Sequence, residues 1–398
     1  METKKLRMNN KKFVRIWAII LVVTVLIASV ATYLMNFFSV TMETQLGRGE
    51  RVETVPENMA GADTKFYDQE VSDLDAMTDA AALAIAEEGI VLMKNDGVLP
   101  LAQGANVTPF GYRYISPVYG GGGSGNVNTD SARIVTAIGA LDKYFTVNSD
   151  MKTVLSGAKA RGLSPDGYEN PDESQGFLGA SFDIIEFDSS IYNGHEQACA
   201  GTTGIVFLGR IGGEGGDIQA DVEGSVLHNN PYADGTIHQL AISEDEKQTI
   251  RFAKANCDNV VVVIDSSNVM EIADLMAEDG ELSVDAVLWI GGPGGQGFEA
   301  MGEILCGAVN PSGKTVDTWM TDLMAVPSVS NFGNYEYDNT YLLTGGFPTP
   351  VGEPTEMNFC EYEENIYIGY KYYETAYATG ATFTVFGQDG MDLEKEKG

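Results

Sequence analysis

The 398-residue sequence is poor in positive charge: 24 Lys and Arg stand against 57 Asp and Glu, a formal net charge of −33. Binding nucleic acid by phosphate neutralisation needs a basic face, so this balance excludes that class. Histidine is scarcer still, at three residues (His195, His228, His238). The four cysteines (Cys199, Cys257, Cys306, Cys360) lie far apart, and no C-x-x-C occurs. Both facts argue against structural zinc, and neither a metal nor a cofactor is expected. One disulfide stays open, with buried free thiols the simpler expectation. What is plentiful is glycine, 46 residues and much of it clustered, which points to shaped loops. At 44% hydrophobic and 10% aromatic residues the chain has material for a core, unlike a disordered acidic tail. Its length allows two or three domains at about 150 residues each.

The charge is unevenly placed. Lys4, Lys5, Arg7, Lys11, Lys12 and Arg15 precede a run from Ile16 to Phe38 that holds no charged residue. That run exceeds the ~20 residues a helix needs to cross a bilayer core. Basic residues before it and none just after predict a cytoplasmic tip (1–15), a single-pass membrane anchor (16–38) and an extracellular body. A cleaved signal peptide with Ser29-Val30-Ala31 as its small-residue site is the rival reading. The apolar run continues past that site through Tyr33 to Phe38, which favours the anchor. Residues 39–71, polar and aperiodic with Pro56, read as a stalk.

From Ser72 the apolar residues Leu74, Met77, Ala81, Leu83, Ala84 and Ile85 fall on one broad helical face, with Ser72 as cap and Gly89 as stop. Ile90 to Met93 then leads to a turn at Lys94-Asn95-Asp96-Gly97. Three β-branched runs follow: Thr203–Leu208, Asn259–Ile264 and Asp285–Ile290. Such continuous runs suit strands buried on both faces, as in parallel sheets. Between two of them, Ser243 to Ala255 reads as a helix with Ser243 as N-cap, acids in its first turn and bases later. The alternation predicts an α/β fold: a doubly wound, mostly parallel sheet sandwiched by helices, over residues 72–380. Ligands of such sheets sit at the carboxyl ends of strands.

Three glycine loops compete for that role. Gly120–Gly125 lets backbone approach a ligand and offers the Ser124 hydroxyl, or is a plain surface loop. Gly292–Gly297 fits the dinucleotide fingerprint in context, with a strand before and a helix (Phe298 to Leu305) after. However, Pro293 lacks an amide hydrogen, and the turn Asn310–Gly313 separates the loop from Asp317. Gly209–Asp217 (GRIGGEGGD) follows a strand directly and sets Glu214 between paired glycines. There a carboxyl can enter a cleft and serve as a general acid, or be one exposed acid among many.

In this order the segments resemble the α/β-sandwich domain of glycoside hydrolase family 3, the β-glucosidases and β-xylosidases. Glu87–Gly97 (EEGIVLMKNDG) with Leu99-Pro100-Leu101 and the Gly120–Gly125 loop take part. Gly209–Asp217 is similar to the family's S-R-x-S-G-E-G-x-D loop. Pro293–Gly297 with Asn310–Lys314 is similar to its P-G-Q-E-G and N-P-S-G-K/R pair. Tyr362–Glu374 resembles its Y-E-E-G-I-Y-V-G-Y-R-Y-Y segment. The matches span most of the chain after residue 80.

The resemblance implies a retaining glycosidase that acts on β-linked oligosaccharides or glycosides. An Asp nucleophile on a (β/α)8 barrel would work against an acid/base Glu on a sandwich loop, the two carboxyls ~5–5.5 Å apart. By motif position Glu214 is the acid/base. Arg210 and Asp217 flank it as substrate-binding or positioning residues, and Gly122 and Ser124 help wall the sugar site. A membrane anchor leading straight into the sandwich resembles the subgroup in which the barrel comes last. Gly212 stands where Ser is frequent, and Ile218 where Arg often follows the Asp. The family's P-F-G-Y-G-L-S-Y finish is replaced by a charged end, so residues 381–398 read as a truncated tail. No barrel follows, so the chain alone is expected to be weakly active or inactive. A non-catalytic carbohydrate-binding module and a nucleotide-dependent enzyme using Gly292–Gly297 are the alternatives.

Overall fold

The computed structural model describes residues 10–38, 71–121, 123–129, 132–161, 184–212, 239–322, 326–330, 332–337, 355–360, 362 and 364–380. The chain divides into two compact units, Met1–Glu70 and Val71–Gly398. In the first, α1 (Asn10–Phe37) is one unbroken helix with no buried residue. Its 28 residues extend about 42 Å, more than the ~30 Å of a bilayer core. By length and composition it qualifies as a membrane span, a test that a signal sequence also passes. The expected stalk and the tail after 380 lie outside the described residues.

The second unit opens with α2 (Val71–Gly89). It begins one residue before Ser72, so Ser72 lies within the helix rather than capping it. Gly89 ends it as expected. There follow β1 (Val91–Asn95) and β2 (Asn106–Phe110), then α3 (Ala137–Tyr144), β3 (Thr146–Val147) and α4 (Ser149–Gly157). A short pair, β4 (Ala160–Arg161) and β5 (Glu186–Phe187), precedes α5 (Glu196–Cys199) and the long strand β6 (Thr203–Arg210). Next come α6 (Glu244–Asn256), β7 (Asn259–Ser266), α7 (Ala273–Met276), β8 (Ala286–Trp289) and α8 (Gly297–Leu305). The C-terminal part holds α9 (Pro327–Ser330), an antiparallel pair β9 (Phe332–Tyr337) and β10 (Thr355–Cys360), and α10 (Tyr370–Thr379).

Six strands form one sheet in the order β1-β8-β7-β6-β2-β3. Every pairing is parallel except β1 on β8, which is antiparallel with a register shift between Leu92 and Lys94. The three β-branched runs of the sequence are β6, β7 and β8, side by side at the centre. All eight residues of β6 are buried. Because successive side chains of a strand point to opposite faces, that pattern requires cover on both. The helices supply it in two groups. On one, α2 and α3 pack on α8; on the other, α6 packs on α5 and on the 3-10 turn Ser189–Tyr192. The fold is thus a mixed, largely parallel α/β sheet with flanking helices.

The start of α6 explains much of the local order. The Ser243 hydroxyl accepts from the Glu246 amide, while the Glu246 carboxylate accepts from the Ser243 amide at 2.8 Å. This reciprocal capping box satisfies two of the helix's orphan N–H groups. Glu246 is nonetheless almost fully buried, and a buried carboxylate needs a further partner.

Candidate active site

The partner is Arg210, the last residue of β6. Its Nη1 and Nη2 donate to Glu246 Oε1 and Oε2 at 2.6 and 2.8 Å, a bidentate ion pair with both side chains buried. The remaining donors reach carbonyls: Nε to Gln239 at 2.6 Å, Nη2 to Ala241 at 2.7 Å and Nη1 to Gly209 at 2.9 Å. All five N–H groups of the guanidinium are therefore engaged inside the protein. The geometry has a topological result. Arg210 stands where the chain leaves the sheet, and Gln239 and Ala241 stand where it comes back. The Gln239 amide group also donates to the Ile211 carbonyl at 3.3 Å. One buried clamp thus fixes both ends of the excursion that carries Glu214.

Glu214, Asp217 and Gly122 lie outside the described residues. The first two belong to the segment between those fixed ends. Ser124 lies in a short 3-10 turn, Gly123–Gly125, and is exposed. The structure brings the loops at the carboxyl ends of β2, β6, β7 and β8 together. The Val118 amide, in the loop after β2, donates to the buried Asp265 carboxylate near the end of β7 at 2.6 Å. The Trp289 indole at the end of β8 donates to the Ser266 carbonyl at 2.7 Å. A Cβ on Gly292 would lie 3.4 Å from Gly120 Cα, so two of the glycine loops pack backbone to backbone.

Close approach also explains Gly209 and Gly212. A Cβ on Gly209 would meet the Asp265 carbonyl at 2.5 Å and Arg113 Cγ at 2.9 Å. On Gly212 it would meet the Asn268 side chain at 2.6 Å. The serine frequent at this position would thus have to displace Asn268.

Beneath the clamp lies a second buried carboxyl, Glu186 of β5. Its Oε1 accepts from the Tyr112 and Phe187 amides at 2.9 and 2.7 Å. Burial first, and the nearby Glu246 charge second, push its pKa up to about 8, against the pull of those amides and of Arg113. Tyr119, half-buried in the loop after β2, is likewise raised, by burial and then by Asp265. Sequence reasoning missed Asp265, Glu186 and Glu246. Asp265 left a signal, an acid closing an apolar strand, and Glu246 another, an acid in the first turn after the N-cap Ser243.

The Gly292–Gly297 loop does sit between a strand and a helix, the context the dinucleotide fingerprint requires. Two of its backbone groups bond within the fold. The Gly294 amide donates to the Tyr119 carbonyl at 2.7 Å, and the Gly295 carbonyl accepts from Val135 at 2.9 Å. A Cβ on Gly295 would strike Ile134 at 2.9 Å, so the loop's close contact is with protein. Among the described residues no group of three or more His, Cys, Asp or Glu is placed to hold a metal ion.

A parallel-centred sheet flanked by helices, with glycine loops gathered at its carboxyl edge, defines an α/β domain. The family follows from comparison. The family model for the glycosyl hydrolase family 3 C-terminal domain matches residues 90–370, and the chain belongs to that family. It is 28% identical over 306 residues to β-glucosidase A of Butyrivibrio fibrisolvens, covering 72% of this chain and 31% of that protein. To the β-glucosidase of Ruminococcus albus it is 26% identical over 298 residues, covering 74% of this chain and 26% of the relative. Among solved structures, a β-glucosidase from Paenibacillus barengoltzii superposes with a TM-score of 0.54 at 23% identity. That match covers 74% of this chain and 28% of the other. β-Glucosidase 3B of Thermotoga neapolitana in complex with glucose gives 0.51 at 20% identity, over 76% and 36%. These structures share the fold. The chain spans about a third or less of the length of the curated relatives named here.

Proposed function

We propose that this chain carries the acid/base carboxylate of a retaining β-glycosidase, with Glu214 in that role. The observation that supports the reading most is the Arg210–Glu246 clamp. It fixes the two ends of the Glu214 segment at the carboxyl edge of the sheet, where the family relationship expects the acid/base. The nucleophile, an Asp, resides on a (β/α)8 barrel supplied in cis or in trans. It attacks the anomeric carbon while Glu214 protonates the leaving oxygen. Glu214, now a carboxylate, then activates the water that releases the sugar. The substrate class is a β-linked glucoside or xyloside, and hydrolysis of its O-glycosyl bond is the reaction.

Asp217, Gly122 and Ser124 line the sugar side of the same edge. Arg210 acts by positioning the loop and makes no contact with sugar. The helix α1 anchors the chain in the cell membrane by a single pass, with the acidic body outside.

Activity of the 398-residue chain towards an aryl β-glucoside, measured alone and with a family barrel fused behind it, tests the division of labour. The chain alone is expected to be near background and the fusion active. Ready hydrolysis by the chain alone, abolished in Glu214→Gln, would contradict the shared site. Binding of glucose by the chain alone without hydrolysis in the folded fusion would instead favour a carbohydrate-binding module.

A further inference from the structure

Two cysteines meet at the opposite end of the sheet. Cys199 ends α5 and Cys257 caps α6. Thr203 and Asn259 are register partners in the β6–β7 pair, so both cysteines lie within a few residues of one paired position. The Asp258 amide donates to the Thr202 carbonyl at 2.9 Å, which holds the two strand entries together. The Thr202 hydroxyl donates to the Cys199 carbonyl at 2.7 Å and lies 3.8 Å from Cys257 Sγ. Thr202 thus touches both cysteines, the Cys199 carbonyl and the Cys257 sulfur. Cys199 is fully buried, with Sγ 3.4 Å from the His195 carbonyl, whereas Cys257 is partly exposed.

We propose that Cys199 and Cys257 are a redox-responsive thiol pair that a small-molecule disulfide oxidises to an intrachain disulfide. The inference is independent of the glycosidase reading. The asymmetry of the pair sets the order of events. The neighbouring Cys199 thiol holds the Cys257 thiol below its ordinary pKa, while Cys257 and burial push Cys199 up. Cys257, the more acidic and more accessible sulfur, attacks one sulfur of the oxidant RSSR as thiolate. A Cys257–SR mixed disulfide forms and one RS⁻ leaves. Cys199 then gives up its proton, its sulfur attacks Cys257 Sγ, and the second RS⁻ leaves. The two cysteines lose two electrons and two protons, and RSSR departs as two RSH. The new bond closes a loop that contains β6, the Glu214 segment and α6. It restricts the unfolded chain and should raise the melting temperature by roughly 5–10 °C.

The full chain in detergent, incubated with oxidised glutathione, alkylated and digested, provides the test by mass spectrometry. The expected product is a Cys199–Cys257 peptide pair, lost on reduction, with a melting temperature that falls when dithiothreitol is added. Cys199→Ser should stop at a Cys257–glutathione adduct. Cys257→Ser, at the more exposed position, should abolish both the adduct and the reductant-sensitive shift. Two free thiols after oxidation, a stable glutathione adduct on the unsubstituted chain, or a link to Cys306 or Cys360 instead would overturn the proposal.

Discussion

At Arg210, five donors meet five acceptors with no contribution from solvent, and this decides what its removal does. Arg210→Ala leaves the Glu246 carboxylate buried without its cation and frees both ends of the Glu214 segment. Breaking a buried pair from one side costs about 3–5 kcal/mol, so urea unfolding should show a loss of that order. The sequence presented Arg210 as a flank of Glu214 that binds substrate or positions it, and named no partner. Its partner lies 36 positions away and its other acceptors are carbonyls. Side-chain type reveals neither. Glu186 makes a pH prediction of definite sign. Its folded pKa, about 8, stands above the ordinary value of 4.5 for a free glutamate carboxyl. The folded state therefore holds the extra proton between those values. Stability from this group is fully present below about pH 4.5 and is lost as pH rises through 8. The difference in unfolding free energy between the unsubstituted chain and Glu186→Gln should shift against the former across that window. The shift should be on the order of a few kcal/mol, and a flat difference from pH 5 to 8 would refute the assignment.

At the scale of elements, the sheet's centre is stiffened by close backbone approach. Gly111 has φ of +90°, and a Cβ there would lie 2.4 Å from the Phe207 carbonyl oxygen of β6. Its amide donates to the Tyr192 hydroxyl at 3.2 Å. Gly111→Ala combines a strained backbone with a clash against a buried strand, so a loss of at least ~2 kcal/mol is expected in denaturant unfolding. The central strands were legible because burial on both faces writes itself as unbroken β-branched sequence. The α6 start was legible because capping is local: Ser243 stands at the N-cap with acids in the turn that follows, and the structure adds the reciprocal bond from Glu246. The antiparallel placement of β1 on β8 was not. Val91–Asn95 mixes apolar and polar residues, and strand direction is set by a partner nearly two hundred residues away. The glycine loops were legible as shaped loops but not as mutual neighbours, since Gly120 and Gly292 meet only through the topology.

Across the whole molecule, the charge of −33 divides between a basic amino-terminal stretch and a strongly acidic remainder. The long apolar helix α1 lies between them. The second unit belongs to glycosyl hydrolase family 3, and its carboxyl edge holds the clamp on which the functional proposal rests. Family membership was readable because several weak motifs occur in one order. The most direct measurement is kcat/KM of the barrel-fused chain, with and without Glu214→Gln, over aryl β-glucosides of rising leaving-group pKa. An acid/base role predicts a loss of roughly 10²–10⁴-fold for poor leaving groups that shrinks as the phenol becomes more acidic. A loss that is absent, or the same for every leaving group, would contradict it.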